Sequence, residues 1–274
     1  MSLHDFKNIT DSYSNTKKMP VLFVGHGNPL NAIEKNAYSL GWETLGMNLP
    51  QPKAILSISA HWLTEGTFVH ISQKPRTIHD FWGFPQELYS VVYPCPGAPD
   101  RATEVQKLIQ KTKIQKDSEW GIDHGTWVVL MHLFPKANIP VFEMSIDATK
   151  PSLFHFELGR ELTKLREKGV LIMGTGNIVH NLGILQYDSQ ANPFDWAIEF
   201  DELSKKLIKD GNYDALINYQ KLGNAARLSI PTPDHYWPML SILGLRDKKD
   251  AISFPINGIA HGSISMRAFL YSAQ

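Results

Sequence analysis

Histidine placement is the chemical signal in this 274-residue chain, which carries eleven of them. Neutral imidazole is the commonest protein ligand for transition metals, and its pKa near neutrality also makes it a proton carrier. His26 lies in Gly25-His26-Gly27-Asn28-Pro29, His61 in Ser59-Ala60-His61-Trp62, and His180 in Gly176-Asn177-Ile178-Val179-His180-Asn181. All three come just after short apolar runs. His124, in Asp123-His124-Gly125-Thr126-Trp127, and His235, in Asp234-His235-Tyr236, sit at expected helix starts or loops. A catalytic metal takes about three protein ligands and keeps a position open. Taken singly, each of these histidines reads as a hydrogen-bonded loop residue rather than a ligand, and the glycines beside His26 suit a tight turn. Their joint placement is what points to a metal site. His4, His70, His79, His132 and His155 are read as structural, with His79 the least settled because it opens the aromatic segment His79-Asp80-Phe81-Trp82-Gly83-Phe84-Pro85.

The elements that must hold these residues follow from apolar periodicity. Residues 20–25, 53–60, 67–72, 139–146 and 170–174 are short apolar runs rich in β-branched residues, and predict buried strands. Helices are expected over 30–47, 99–112, 127–133 and from Pro151 to a stop at Gly169, with more helix across 195–246 and strands at 252–256 and 264–271. The Lys- and Glu-rich run from Arg160 to Lys168 is read as the solvated side of its helix. Strands alternating with helices predict an α/β fold: a single domain with a central, largely parallel mixed sheet flanked by helices. In such sheets ligands bind beyond the carboxyl ends of the strands, where His26, His61 and His180 would converge. Residues 74–99 are too long for a neutral connector and are expected to be functional.

Other chemistries find no support. Lys and Arg number 27 against 27 Asp and Glu, giving no electrostatic reason to expect a nucleic acid or a membrane surface as partner. One cysteine, Cys95, excludes an internal disulfide framework, and between two prolines it is read as structural. Residues 1–18 form a polar N-terminal extension without the apolar core of a signal peptide, and no apolar run approaches a membrane span, so a cytoplasmic protein is expected. Gly25-His26-Gly27 and Gly174-Thr175-Gly176 begin dinucleotide fingerprints, but Leu30 and Val179 occupy the third-glycine positions.

From Met19 onward, the ordered set of short segments around His26, His61, His79, His124, His180 and His235, with Gly262-Ser263-Ile264-Ser265-Met266-Arg267, resembles the class III (LigB-type) extradiol aromatic ring-opening dioxygenases, in their 4,5-DOPA extradiol branch. The resemblance implies a catalytic domain over 19–274 that inserts O2 into a catechol and yields a ring-opened semialdehyde. It implies that His26, His61 and His235 bind the metal, with His180 as a fourth ligand or acid/base, and that His124 carries protons beside the substrate. Many class III enzymes complete a two-His, one-carboxylate set; here His235 stands at the third position, and an all-imidazole site suits Fe(II) or Zn(II). Trp62, Phe81, Tyr236 and Trp237 are candidates for the substrate wall, and Arg267 and Arg227 for a substrate carboxylate. Two other readings use the same residues: a zinc-dependent hydrolase or lyase, and a non-catalytic metal- or ligand-binding protein.

Overall fold

A computed structural model describes residues 18–273. The polar extension over 1–18 lies outside the described residues except for Lys18, whose Nζ meets Asp247 Oδ2 at 2.6 Å. Ten strands occur in the described residues: β1 (Val21–Gly25), β2 (Ala54–Thr64), β3 (Thr67–His70), β4 (Ile114–Asp117), β5 (Val141–Asp147), β6 (Val170–Gly176), β7 (Asp250–Ile256), β8 (Ile259–Ala260), β9 (Ile264–Ser265) and β10 (Ala268–Ala273). Eight of them form one sheet in the order β4-β3-β5-β2-β6-β1-β10-β7, and β8 pairs with β9. The middle four, β5-β2-β6-β1, are mutually parallel, and antiparallel pairing begins on either side of them.

The central strands are buried on both faces, which is why they read as unbroken apolar runs. Side chains alternate between two cores. Val21, Phe23, Leu56, Phe142 and Ile172 enter one, and Leu22, Val24, Ile55, Leu171 and Met173 the other. The flanking helices are α1 (Ala37–Asn48), the single turn α2 (Gln86–Tyr89), α3 (Pro99–Leu108), α4 (His124–Leu133), α5 (Ser152–Glu161), α6 (Asp195–Asp210), α7 (Tyr213–Ile217), α8 (Asn224–Ser229) and α9 (Trp237–Gly244). Among the described residues, no helix is long and apolar enough to cross a membrane.

Four expectations change. The helix expected over 30–47 is split: a 3-10 turn at Pro29–Ala32 ends, and α1 starts afresh after Asn36, whose side chain accepts from Tyr38 N and Ser39 N. The short, half-polar β4 carries too little apolar signal to be read from sequence. His61 does not follow β2 but lies inside it, where pairing with β5 shifts register between Ile58 and Leu63. Arg166 is not on a solvated face. It is fully buried, donates to both oxygens of Asp250 at 2.7 and 3.0 Å, and also bonds the carbonyls of Met19 and Leu245.

Candidate active site

Five histidines meet at the carboxyl edge of the parallel strands. His26 leaves β1 and enters a turn in which Gly27 takes φ +63°; a side chain there would collide with Met266. His61 comes from β2, with Ser57 and Ser59 at the two preceding alternate positions. His124 is the first residue of α4, which Asp123 caps by accepting from Thr126 N at 3.2 Å. Helix and sheet approach closely at this point: a Cβ on Gly125 would lie 3.0 Å from both His61 and Ser59 Oγ, and 3.2 Å from Thr175. His180 follows β6 and is fixed by its backbone N–H to Ser229 O at 2.9 Å. His235 precedes α9, and its carbonyl accepts from Asn177 N at 2.9 Å.

The imidazoles face one another. The Nε2 atoms of His26 and His61 are 3.1 Å apart. Two nitrogens on a tetrahedral ion at metal–nitrogen distances of about 2.0–2.1 Å would be separated by about 3.3 Å, so this pair is spaced as two ligands of one metal. The His235 ring lies 5.4 Å from that of His26 and 5.0 Å from that of His61, and stacks on His180 at 3.5 Å between ring centres. Ligand atoms of His26, His61 and His124 gather within 4.8 Å, as do those of His180, Asp234 and His235. Burial, reinforced by the neighbouring histidines, lowers the pKa of His26, His61 and His180 well below the usual imidazole value. These rings are therefore neutral at pH 7, the form that ligates a metal, and the donor set fits a divalent metal.

Two carboxylates orient the rings. Asp80 receives His124 Nδ1 at 2.9 Å and His124 N at 3.0 Å on one oxygen, and His61 Nδ1 at 3.2 Å on the other. Burial acts to raise the Asp80 pKa, but the hydrogen bonds and charge from His124 outweigh it and hold it low. Asp234 bonds His235 Nδ1 in the same manner. Carboxylates on the outer ring nitrogens fix the tautomer and leave each Nε2 for the centre. The signal for Asp80 was its place in the long segment over 74–99, which His79 anchors through Nε2 to Val91 O at 2.9 Å and Trp127 through Nε1 to Ile78 O at 2.8 Å.

Behind Asp123 stands a further buried acid, Glu143 on β5. It accepts from Asp123 N at 3.1 Å and from Trp120 Nε1 at 2.9 Å. Burial raises Glu143 to about 7 and, with the Glu143 charge, pushes Asp123 well above the carboxylate range. His261, which carried no sequence signal, takes φ +53° and bonds Gln186 O at 2.9 Å through Nδ1.

The aromatic candidates divide. Phe81 packs edge-on to His124 at 5.6 Å between ring centres and adjoins the cluster. Trp62 stacks on Trp120 at 5.4 Å with an interplanar angle of 5°. Tyr236 turns into the core as α9 begins: it is fully buried against Tyr219, and its hydroxyl donates to Leu216 O at 3.0 Å. Trp237 likewise stacks on His155 and donates to Ser152 Oγ, so neither lines the histidine cluster. Arg267 is also committed elsewhere, buried among Asp201, Glu202 and Asn257, while Arg227 is exposed on α8.

An α/β sheet with a histidine-rich, carboxylate-oriented centre at its carboxyl edge has the make-up of a metal-dependent enzyme site. Residues 37–263 match the family described as the catalytic LigB subunit of aromatic ring-opening dioxygenase, and the chain belongs to that family. It is 44% identical over 262 residues to a 4,5-DOPA dioxygenase extradiol of Escherichia coli, covering 94% of this chain and 96% of the relative. A protein of the same name from Mirabilis jalapa is 34% identical, covering 82% and 86%. A crystal structure of an uncharacterised Escherichia coli K12 protein superposes with a TM-score of 0.81 at 39% identity, covering 92% of this chain and 99% of that one. The chain is accordingly an extradiol-type aromatic ring-opening dioxygenase with a metal-binding His/Asp site.

Proposed function

We propose that residues 19–274 form a catalytic domain that opens a catechol carrying an amino-acid side chain, L-DOPA being the substrate class named for the relatives, at the bond outside the diol. The observation that carries this reading is the convergence of His26, His61, His124, His180 and His235 on one centre. His26, His61 and His235 would hold the metal, with His180 beside it. Fe(II) is the ion proposed to support turnover, and Zn(II) would fit the same nitrogens. When bound, the metal would supply Lewis-acid and redox chemistry to the catechol and dioxygen.

The chain supplies the proton handling. Asp80 occupies His124 Nδ1, leaving His124 Nε2 to accept a proton from a catechol hydroxyl. His180, half-buried and neutral at rest, would take the second hydroxyl proton, and both histidines would return their protons to the ring-opened product. Both atoms of O2 end in the ring-opened semialdehyde. Phe81 forms one wall of the substrate position beside His124. Trp62 is assigned a supporting place through its stack on Trp120. A cytoplasmic setting fits Cys95, which is buried with its thiol pushed up to about 12 by burial.

The test is anaerobic reconstitution with Fe(II) and, separately, Zn(II), followed by oxygen uptake on L-DOPA and simple catechols while the yellow product is watched. Uptake with yellow product under Fe(II) alone is expected. Hydrolytic activity with Zn(II) and no oxygen consumption would replace this reading with that of a zinc hydrolase.

A further inference from the structure

We infer that Glu143 is a positioning residue for ring opening: its two carboxyl oxygens set the start of α4, and through it the His124 imidazole, by accepting from Asp123 N and Trp120 Nε1 together. The inference rests on the dioxygenase reading above. Glu143 is fully buried on β5, in register with Ser57 of β2. Its Oε1 receives the backbone N–H of the residue that caps α4, and its Oε2 the indole N–H of Trp120, at 3.1 and 2.9 Å. Each of these partners leads to a histidine of the centre. Trp120 stacks on Trp62, the neighbour of His61. Asp123 precedes His124 and accepts from Ser59 Oγ at 2.7 Å, two residues before His61. Ser57 Oγ and Thr126 Oγ1, 2.8 Å apart, tie the same turn of α4 to β2.

Burying a carboxyl beside a second carboxyl is costly, and packing alone would be served better by an apolar side chain. What Glu143 supplies is two acceptors at fixed points facing two donors. Glutamine has the same shape but only one acceptor, so in Glu143→Gln an amide N–H must oppose either Asp123 N–H or Trp120 Nε1–H. Removing the indole donor resolves that conflict: in Glu143→Gln/Trp120→Phe the amide oxygen can serve Asp123 N, and a phenyl ring still faces Trp62.

The experiment measures kcat, KM, metal content and thermal midpoint for the wild type, both single variants and the double variant, all loaded with Fe(II) and assayed by oxygen uptake on the catechol the wild type uses. Glu143→Gln is expected to lose kcat by roughly 10- to 100-fold per bound metal with KM changed by less than about threefold, as misplacement of a proton-transfer group does. The double variant should recover most of that loss, which a residue serving only stability would not produce. Undiminished kcat in Glu143→Gln, or a folded double variant no faster than Glu143→Gln, overturns the inference. A Glu143→Gln protein that cannot fold is judged by the double variant, which must then fold and turn over. Wild-type protein that consumes no oxygen with any catechol defeats the functional reading and this inference with it, whereas wild-type turnover with an equally fast Glu143→Gln defeats the inference alone.

Discussion

Replacing Asp80 with Asn isolates the orientation of the centre from its ligands. Three donors converge on Asp80: His124 Nδ1 and His124 N on one oxygen, at 2.9 and 3.0 Å, and His61 Nδ1 on the other, at 3.2 Å. Asparagine keeps the size and one acceptor oxygen. That oxygen can still serve both His124 donors, but the amide NH2 then opposes the His61 Nδ1–H. The lost contact with an anion, 3.2 Å away and largely buried, is worth at most roughly 1.5–3 kcal/mol. Relief requires the His61 ring to rotate or change tautomer, and either move takes Nε2 from its place 3.1 Å from His26 Nε2. Divalent-metal affinity should therefore fall by roughly 10- to 100-fold, the range found when partners of metal-bound histidines are removed. The assay is competition with a chromophoric chelator, first with Zn(II) so that oxygen chemistry plays no part, then with Fe(II) under nitrogen. At saturating Fe(II), kcat should remain depressed, because His124 has lost the carboxylate that holds its ring in place. Metal affinity and kcat both within about twofold of the wild type would refute the reasoning, since a carboxylate that orients two rings cannot be neutralised without moving them.

His26→Ala and His61→Ala should each abolish stoichiometric metal binding, read by elemental analysis after gel filtration; a full equivalent retained by either removes that residue from the ligand set. His124→Ala should lose turnover by roughly 10²–10⁴-fold with catechol affinity under nitrogen little altered, and unchanged turnover would end its proton-transfer role. In metal-free protein the lowered pKa values of His26, His61 and His180 mean that the unfolded chain binds more protons below about pH 6.5, so stability should fall as pH drops from about 8 to about 5.5. Thermal midpoints should show a shallower slope in His26→Gln, and identical slopes would contradict the assignment of neutral buried rings. Arg166→Met strands the Asp250 carboxylate in the core at a cost of about 3–5 kcal/mol, or roughly 6–20 °C in thermal midpoint for a chain of this size. A drop smaller than about 3 °C would mean that the pair contributes little.

The sheet was readable because its centre is dry on both faces. Runs such as Val21–Gly25 and Val170–Gly176 hide both sets of alternate side chains, and hydrophobicity marks them without help from the turns. The histidines were readable for a related reason: a polar residue placed straight after such a run falls at the strand's carboxyl end, whatever the handedness of the connections. What failed to show was structure made from polar groups that satisfy one another. Arg166 looked like one more charge in a solvated run, because nothing local announces Asp250 some eighty residues away. Tyr236 and Trp237 looked like pocket walls because they adjoin His235, but the start of α9 rotates both into the core. Glu143 was invisible in the same way, and Asp80 was marked only by its place in the 74–99 segment, since their role exists only once β5, α4 and that segment are brought together.

The same distinction explains how the site is built. His26, which follows β1, and His61, which lies within β2, are placed by the sheet, whose register is held by apolar burial on both faces and tolerates few alternatives. His124 has no such support: it starts a helix, where the backbone is least constrained by its own hydrogen bonds. Its position must come from side chains, and the structure supplies Asp80 on its imidazole and backbone N–H, the Asp123 cap behind it and Glu143 behind the cap. His26 and His61 should therefore tolerate changes in the surrounding polar groups better than His124 does. Substitutions in the Asp123–Glu143 pair should depress kcat while metal stays bound, whereas substitution at Asp80, which touches both His61 and His124, should depress both.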